Sequence, residues 1–282
     1  MSLDPYSPTP FGEIEVPPKP LPEDGVEPRP QYFASLNYFF EHPQWGLSLF
    51  FGSLCLLIPV ISTMILFGYR YEIVEMKARF PEQLYPKFDI RRFSQYLTRG
   101  LMPFLVDFPI QFILNIPLQI SVWMGIGLVA AAGNSQSRLL VVVAGVGVPL
   151  IILVDIVLLT ILQTVLVPFM LRAGLSQDFG QTLKLSWIKD FVLKVGLQTL
   201  LFNLFTMAVG TVLIIPGYLA CCVGIIPVGF ILMGPMLAHH QAQLYRLYLA
   251  RGGKPIPLKP LQMEPAYTLP APVSFPPKPS PM

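Results

Sequence analysis

Between Arg138 and Arg172 the chain reads LLVVVAGVGVPLIILVDIVLLTILQTVLVPFML, 33 residues with one charge, Asp155. A bilayer crossing needs roughly 20 apolar residues in succession. A surface helix of a soluble domain alternates apolar and polar faces, and this stretch does not. Four further apolar segments surround it: Trp45–Tyr69, Gly100–Ala132, Phe191–Ile215 and Tyr218–Leu237. Together they define the fold class as an all-α, polytopic transmembrane helix bundle of about five spans, kinked at its prolines and flanked by extended Pro-rich tails.

The composition agrees. Of 282 residues, 53% are hydrophobic and 12% charged, against about 25% charged in ordinary globular domains. The prolines divide the chain: ten of the 31 lie in residues 1–44 and ten more in 251–282. This gives three domains: an acidic, Pro-rich N-terminal tail (1–44), a transmembrane helical domain (45–250) and a Pro-rich C-terminal tail (251–282). Such tails bury too little apolar surface to offset the entropy of ordering, and they suit polyproline II recognition by a protein partner. The N-terminal sequence lacks a basic region followed by an apolar core, so insertion is expected to follow the internal spans. A net charge of +3, with no basic run interleaved with aromatics, gives no footprint for nucleic acid. Cys55, Cys221 and Cys222 lie in apolar stretches, without zinc or disulfide spacing.

Within the spans, Trp45–Tyr69 carries Pro59 at its centre and reads as a kinked crossing helix, with a re-entrant hairpin as the alternative. Gly100–Ala132 is interrupted by Pro103, Pro109 and Pro117. Gly145–Pro149 marks a break in the third span, which places Asp155 about two turns into a restarted helix. The linker 70–99 holds seven basic and four acidic residues and is expected to form amphipathic pieces in the membrane plane. Phe179, Leu183 and Trp187 share one helical face in the second linker. LLIPVISTMILFGY (56–69) and GIIPVGFILMGPML (224–237) are weakly alike. By the positive-inside rule, loops 70–100 and 172–190 and the C-terminal side face the cytoplasm. Five spans place the N-terminal tail outside; four place both tails inside.

Polar residues in apolar segments are costly and are therefore candidates for function. Asp155 is one. Asp107, Gln111, Asn115 and Gln119 recur every four residues, so successive members drift only about 40° and make one seam. Asp190, Lys194 and Gln198 begin the fourth span at the same spacing. The two seams are expected to face each other, with Asp107 pairing Lys194. His239 and His240 are adjacent, so they point about 100° apart on a helix and suit interfacial positions better than a metal site. No hydrolase, metalloprotease or nucleotide-binding fingerprint occurs.

Pro43-x-Trp45, Leu57-Ile58-Pro59-Val60, Gly68-Tyr69, Pro86-x-Phe88-Asp89 and Tyr96-Leu97-x-x-Gly100-Leu101 resemble an uncharacterised family of bacterial polytopic membrane proteins, defined only by a domain of unknown function. Leu183-x-x-Ser186-Trp187 is similar to membrane domains attached to glycerophosphodiester phosphodiesterases. The resemblance implies the bacterial inner membrane and supplies no catalytic residue. The expected function is a non-enzymatic membrane subunit or scaffold that contacts the lipid bilayer and recruits protein partners through its tails, with no cofactor. The alternative is a small transporter using Asp155 and the Asp107–Gln119 seam.

Overall fold

A computed structural model describes residues 30–58, 60–79, 85–134, 137–219 and 224–258, and every regular element among them is helical. The helices are α1 (Ala34–Asn37), α2 (Trp45–Cys55), α3 (Ile61–Arg79), α4 (Phe93–Asn134), α5 (Arg138–Ser176), α6 (Phe179–Thr182), α7 (Leu185–Leu219), α8 (Ile225–Ile231) and α9 (Leu237–Ala250). A 3-10 turn, Ile90–Arg92, leads into α4, and a π-turn, Leu232–Met236, joins α8 to α9.

Among the described residues, four stretches are long and apolar enough to cross a membrane: Ile90–Asn134, Arg138–Ser176, Leu185–Gly217 and Ile225–Ala250. Four thus replaces the expected five. Trp45–Tyr69 is not one helix: α2 ends at Cys55 and α3 begins at Ile61. Val60, between them, takes φ 66°, a region β-branched residues avoid. At 11 residues α2 spans only about 16 Å, too little to cross. α2 packs on α8, and α3 packs on α4 and α9. The IPV segments also differ in path: the second enters α8 at Ile225, whereas the first becomes helical only after Val60.

The prolines do not end the long helices. α4 continues through Pro103, Pro109 and Pro117, and α5 through Pro149 and Pro168. The expected break at Gly145–Pro149 is absent. Asp155 therefore lies 17 residues into a 39-residue helix, about 26 Å from its start. Likewise Pro216–Gly217, which separate the apolar segments Phe191–Ile215 and Tyr218–Leu237 in the sequence, lie within α7, which runs to Leu219.

Two further boundaries move. Residues 70–79 are not an exposed linker but the second half of α3, where Arg70, Tyr71, Glu72, Ile73, Val74, Glu75 and Met76 are all buried. Parts of the expected tails belong to the folded body. Tyr38 and Phe39 are buried, Gln31 N–H donates to Gln243 Oε1 at 2.8 Å, and Ile256 is buried with its N–H donating to Tyr245 Oη at 2.9 Å. Residues 1–29 and 259–282 and the pair Cys221–Cys222 lie outside the described residues. Cys55 is buried with a free thiol.

The packing has two characters. One end is a dense body built from residues 30–55, α3, residues 85–92, the start of α4, the end of α5, the start of α7, α8 and α9. Tyr38, Phe39, Tyr69, Tyr85, Phe88, Tyr96 and Phe230 form an aromatic cluster within it. Beyond this body, α4, α5 and α7 present Leu, Ile, Val and Phe outward, including Phe112, Ile120, Val142, Leu153, Leu197 and Val212. Contiguous apolar surface on this scale marks a membrane or protein contact.

The body closes where α3 crosses α4. A Cβ on Gly68 would collide with the Tyr96 carbonyl, and one on Gly100 with the Met64 carbonyl. Backbone meets backbone at both points, so neither neighbour can swing aside as a side chain would. Substituting Gly100 by Ala should therefore cost at least the roughly 1–3 kcal/mol of an overpacked core, read as a lower midpoint of thermal unfolding in detergent. The same change at Gly127, which has open space around it, should leave the midpoint unchanged or raise it.

Candidate functional site

The charged residues of α3 form the first polar group. Glu72 accepts from Arg92 Nη1 at 2.6 Å, and Glu75 accepts from Arg99 Nη2. The two carboxylates lie three residues apart on α3, and their arginines lie on the 3-10 turn and the first turns of α4. Arg99 also donates to the Tyr71 carbonyl at 3.0 Å. Burial pushes the Glu72 carboxyl above its ordinary pKa, and the Arg92 guanidinium opposes that push.

Arg70 is the least expected member. It is 5% exposed and donates from Nε to the Met233 carbonyl of the π-turn at 2.8 Å. Its guanidinium stands 4.9 Å from the Phe67 ring centre. Burial lowers its pKa, offset by Tyr71 and Asp107 nearby. π-turns loosen the regular backbone ladder, and here the turn presents a carbonyl to a buried cation. Arg172, 3% exposed, lies over the Trp187 ring at 5.0 Å and donates to Gln181 Oε1 at 3.1 Å.

The expected Asp107–Lys194 pair does not form. Asp107 accepts from Gln111 Nε2 at 3.3 Å and sits in the field of Arg70. Lys194 bridges Asp190 Oδ2 at 3.0 Å and donates to the Gly252 carbonyl at 2.9 Å. The physical reason is helix placement: α4 packs on α3 and α5, whereas α7 packs on α5, α8 and α9. Asp190, Lys194 and Gln198 do form one row, but it grips the last turn of α9 and the chain just after it. Tyr248 Oη donates to Asp190 Oδ2 at 2.8 Å, and Arg251 Nη1 donates to Gln198 Oε1 at 3.1 Å. Trp187 Nε1 completes the clasp by donating to the Lys254 carbonyl at 2.8 Å. Trp187 is thus buried, while Phe179 and Leu183 of its expected interfacial face are exposed.

Asp155 meets α4. Ser121 Oγ lies 2.5 Å from Asp155 Oδ2 and 2.8 Å from the Leu118 carbonyl, so one hydroxyl stands between two acceptors on the α4–α5 seam. The amide seam of α4 is only partly covered. Asp107 and Gln111 are half-buried, whereas Asn115 and Gln119 are exposed. Asn115 Nδ2 donates to the Gln111 carbonyl at 2.7 Å.

Sequence reasoning missed a third group. Asn203 Nδ2 donates to Thr164 Oγ1 at 3.1 Å and ties α7 to α5, and Thr206 Oγ1 lies 3.3 Å from His240 Nδ1 on α9. Thr160 and Thr164 stand four residues apart, as do Thr199 and Asn203, but they carry no charge, and hydroxyls in an apolar helix give a weaker signal than a carboxylate or an ammonium does. Both histidines pack on aromatic rings inside the protein. His240 packs on Phe202 at 4.3 Å between ring centres, and His239 on Tyr38 at 4.3 Å. Among the described residues, no group of three or more His, Cys, Asp or Glu side chains is placed to hold a metal.

Four long apolar helices and a polar set engaged in helix-to-helix contacts define an all-α polytopic membrane protein. The chain belongs to a family of proteins of unknown function, DUF4013, whose pattern matches residues 51–235, from α2 to the π-turn. No curated protein and no solved structure matches it.

Two outcomes follow for these pairs. Replacing Arg99 by Met leaves the buried Glu75 carboxylate without its guanidinium and should cost about 3–5 kcal/mol. The double replacement with Glu75→Leu should recover most of that in chemical unfolding. In a double-mutant cycle, Ser121→Ala and Asp155→Leu should couple by roughly 0.6–1.7 kcal/mol, while Asp155→Asn keeps an acceptor oxygen for Ser121 and should lose less.

Proposed function

We propose that this protein is a non-enzymatic membrane subunit or scaffold, acting by holding partner proteins at and within the bilayer. The observation that carries this reading is the uncovered face of the α4–α5 hairpin. It is apolar enough for lipid, yet it carries exposed Asn115 and Gln119, which lipid does not satisfy. The charged side chains of the packed end support the same reading, since they engage one another between helices rather than converging on a cleft. The likeness of Leu183-x-x-Ser186-Trp187 to membrane domains attached to glycerophosphodiester phosphodiesterases fits a membrane module serving a separate catalytic chain.

The proposed location is the bacterial inner membrane. Arg91, Arg92, Lys184, Lys189, Arg251 and Lys254 lie at the packed end, and Arg138 alone marks the α4–α5 turn among the described residues. The positive-inside rule then puts the packed end in the cytoplasm, and four spans bring both ends of the chain to that side. The Pro-rich segments, such as FPPKPSP at 275–281, are proposed as additional ligands for partners there. The transporter alternative draws on Asp155 at mid-helix, but Asp155 and the Asp107–Gln119 seam do not converge on one path. Asp155 faces α5's neighbour Ser121, and Gln119 points about 160° from Ser121 around α4.

Extraction of native membranes into lipid nanodiscs tests the subunit reading by mass. An assembly of more than one protein chain is expected, and a single chain with lipid alone would overturn it. For topology, Arg138→Cys in intact cells should react with a membrane-impermeant maleimide, and Lys184→Cys should react only after the membrane is opened.

A further inference from the structure

We propose that a second copy of this chain covers the Asn115–Gln119 face of α4, making a dimer with two α4 helices side by side in the bilayer. This rests on the reading as a membrane subunit and names its partner.

Depth is the first argument. Counted from Phe108, where the lipid-facing part of α4 begins, Asn115 lies 7 residues and Gln119 11 residues along the helix, about 10 and 16 Å. Both depths fall within the hydrocarbon core of a bilayer, where polar side chains turn to protein or water. Direction is the second. Ser121 faces α5 through Asp155, and Gln119 points about 160° away from it. The face that carries the amides is therefore the one α5 leaves open. Asn115 uses one amide proton on the Gln111 carbonyl, and its own side-chain oxygen is left to accept from outside.

Complementarity selects the occupant. All copies of a membrane protein insert with one orientation, so the axis relating two of them runs along the membrane normal. That axis sets Asn115 opposite Asn115 and Gln119 opposite Gln119, an isologous contact. A charged row would repel its own copy. A carboxamide donates and accepts equally, so an amide row is its own complement. Asp107, the charged member of the seam, is half-buried at the packed end beside Arg70. The flanks agree in shape. Phe108, Phe112, Val122 and Ile126 lie within about 60° of Asn115 around the helix. Phe108 stacks on Phe112 at 6.3 Å and on Phe104 at 5.3 Å, and all four flanking residues are exposed.

Val122→Cys, in a chain with its native cysteines replaced by Ser and held in lipid nanodiscs, should form a disulfide-linked pair on oxidation. Leu153→Cys, exposed on α5, should not. Adding Asn115→Leu and Gln119→Leu should reduce the Val122→Cys pair at least tenfold. A photo-crosslinking residue at position 122 of the otherwise native chain repeats the measurement without removing cysteines. Unchanged cross-linking after the double replacement overturns the proposal. So does cross-linking at 122 to a different protein only, which leaves the subunit reading standing. A chain that stays single in its native lipid sinks both.

Discussion

The crossing of α3 over α4 at Gly68 and Gly100 is the contact on which the rest of the molecule depends. Only a missing Cβ on both helices lets Tyr96 and Met64 carbonyls approach so closely. That approach brings the first turns of α4 against a helix carrying Arg70, Glu72 and Glu75, and Arg92 and Arg99 reach across. Four charges at 20% side-chain exposure or less are thereby neutralised in pairs, which is the condition for leaving water. Gly174 extends the principle to α5, where a Cβ would strike the Tyr71 ring. The long helices are anchored at one end because α3 accepts them there without side-chain thickness.

Helix length then fits the solvent. α4 and α5 measure about 63 and 58 Å at 1.5 Å per residue, twice the roughly 30 Å hydrocarbon core. The excess is taken up inside the packed body. Counting α4 from Phe108, beyond the half-buried Asp107, leaves 27 residues and about 40 Å, the thickness of a bilayer with its headgroups. One helix therefore serves two media. Its first turns exchange hydrogen bonds and ion pairs as a soluble helix does, and its remainder shows apolar side chains to lipid.

The apolar segments and the basic asymmetry were legible in the sequence because both follow from one-dimensional patterns. Two features were not. Arg70, Glu72 and Glu75 read as a hydrated linker, since their partners lie 20 or more residues away beyond residues 80–84, and no local pattern announces a buried ion pair. The prolines read as breaks, yet α4, α5 and α7 run through them. Neighbouring helices and polar side chains re-satisfy freed backbone groups in a membrane bundle; Gln177 Nε2 donates at 3.2 Å to the Arg99 carbonyl, the one that Pro103 leaves without its helical partner. Rows at four-residue spacing were legible as rows, but spacing sets a direction around one helix and says nothing of which helix stands opposite. Lys194 and Gln198 therefore share a row as their spacing implies, but the row meets the chain around the end of α9 rather than α4.

The polar groups of α4 divide by direction, and the division shows what this chain can satisfy alone. Turned toward α5, Ser121 meets Asp155. Near the packed end, Asp107 meets Gln111 and the field of Arg70. Turned away from both, Asn115 spends one proton on its own helix and Gln119 stands exposed. An exposed amide within the hydrocarbon core costs free energy that a leucine would not. In the same helix, Phe112, Ile113, Ile116 and Ile120 occupy neighbouring exposed positions without that cost. A sequence that places apolar residues at each of these sites and amides at 115 and 119 has a reason for the amides on that face. In the proposed dimer that reason is recognition of another surface rather than stability of the isolated chain.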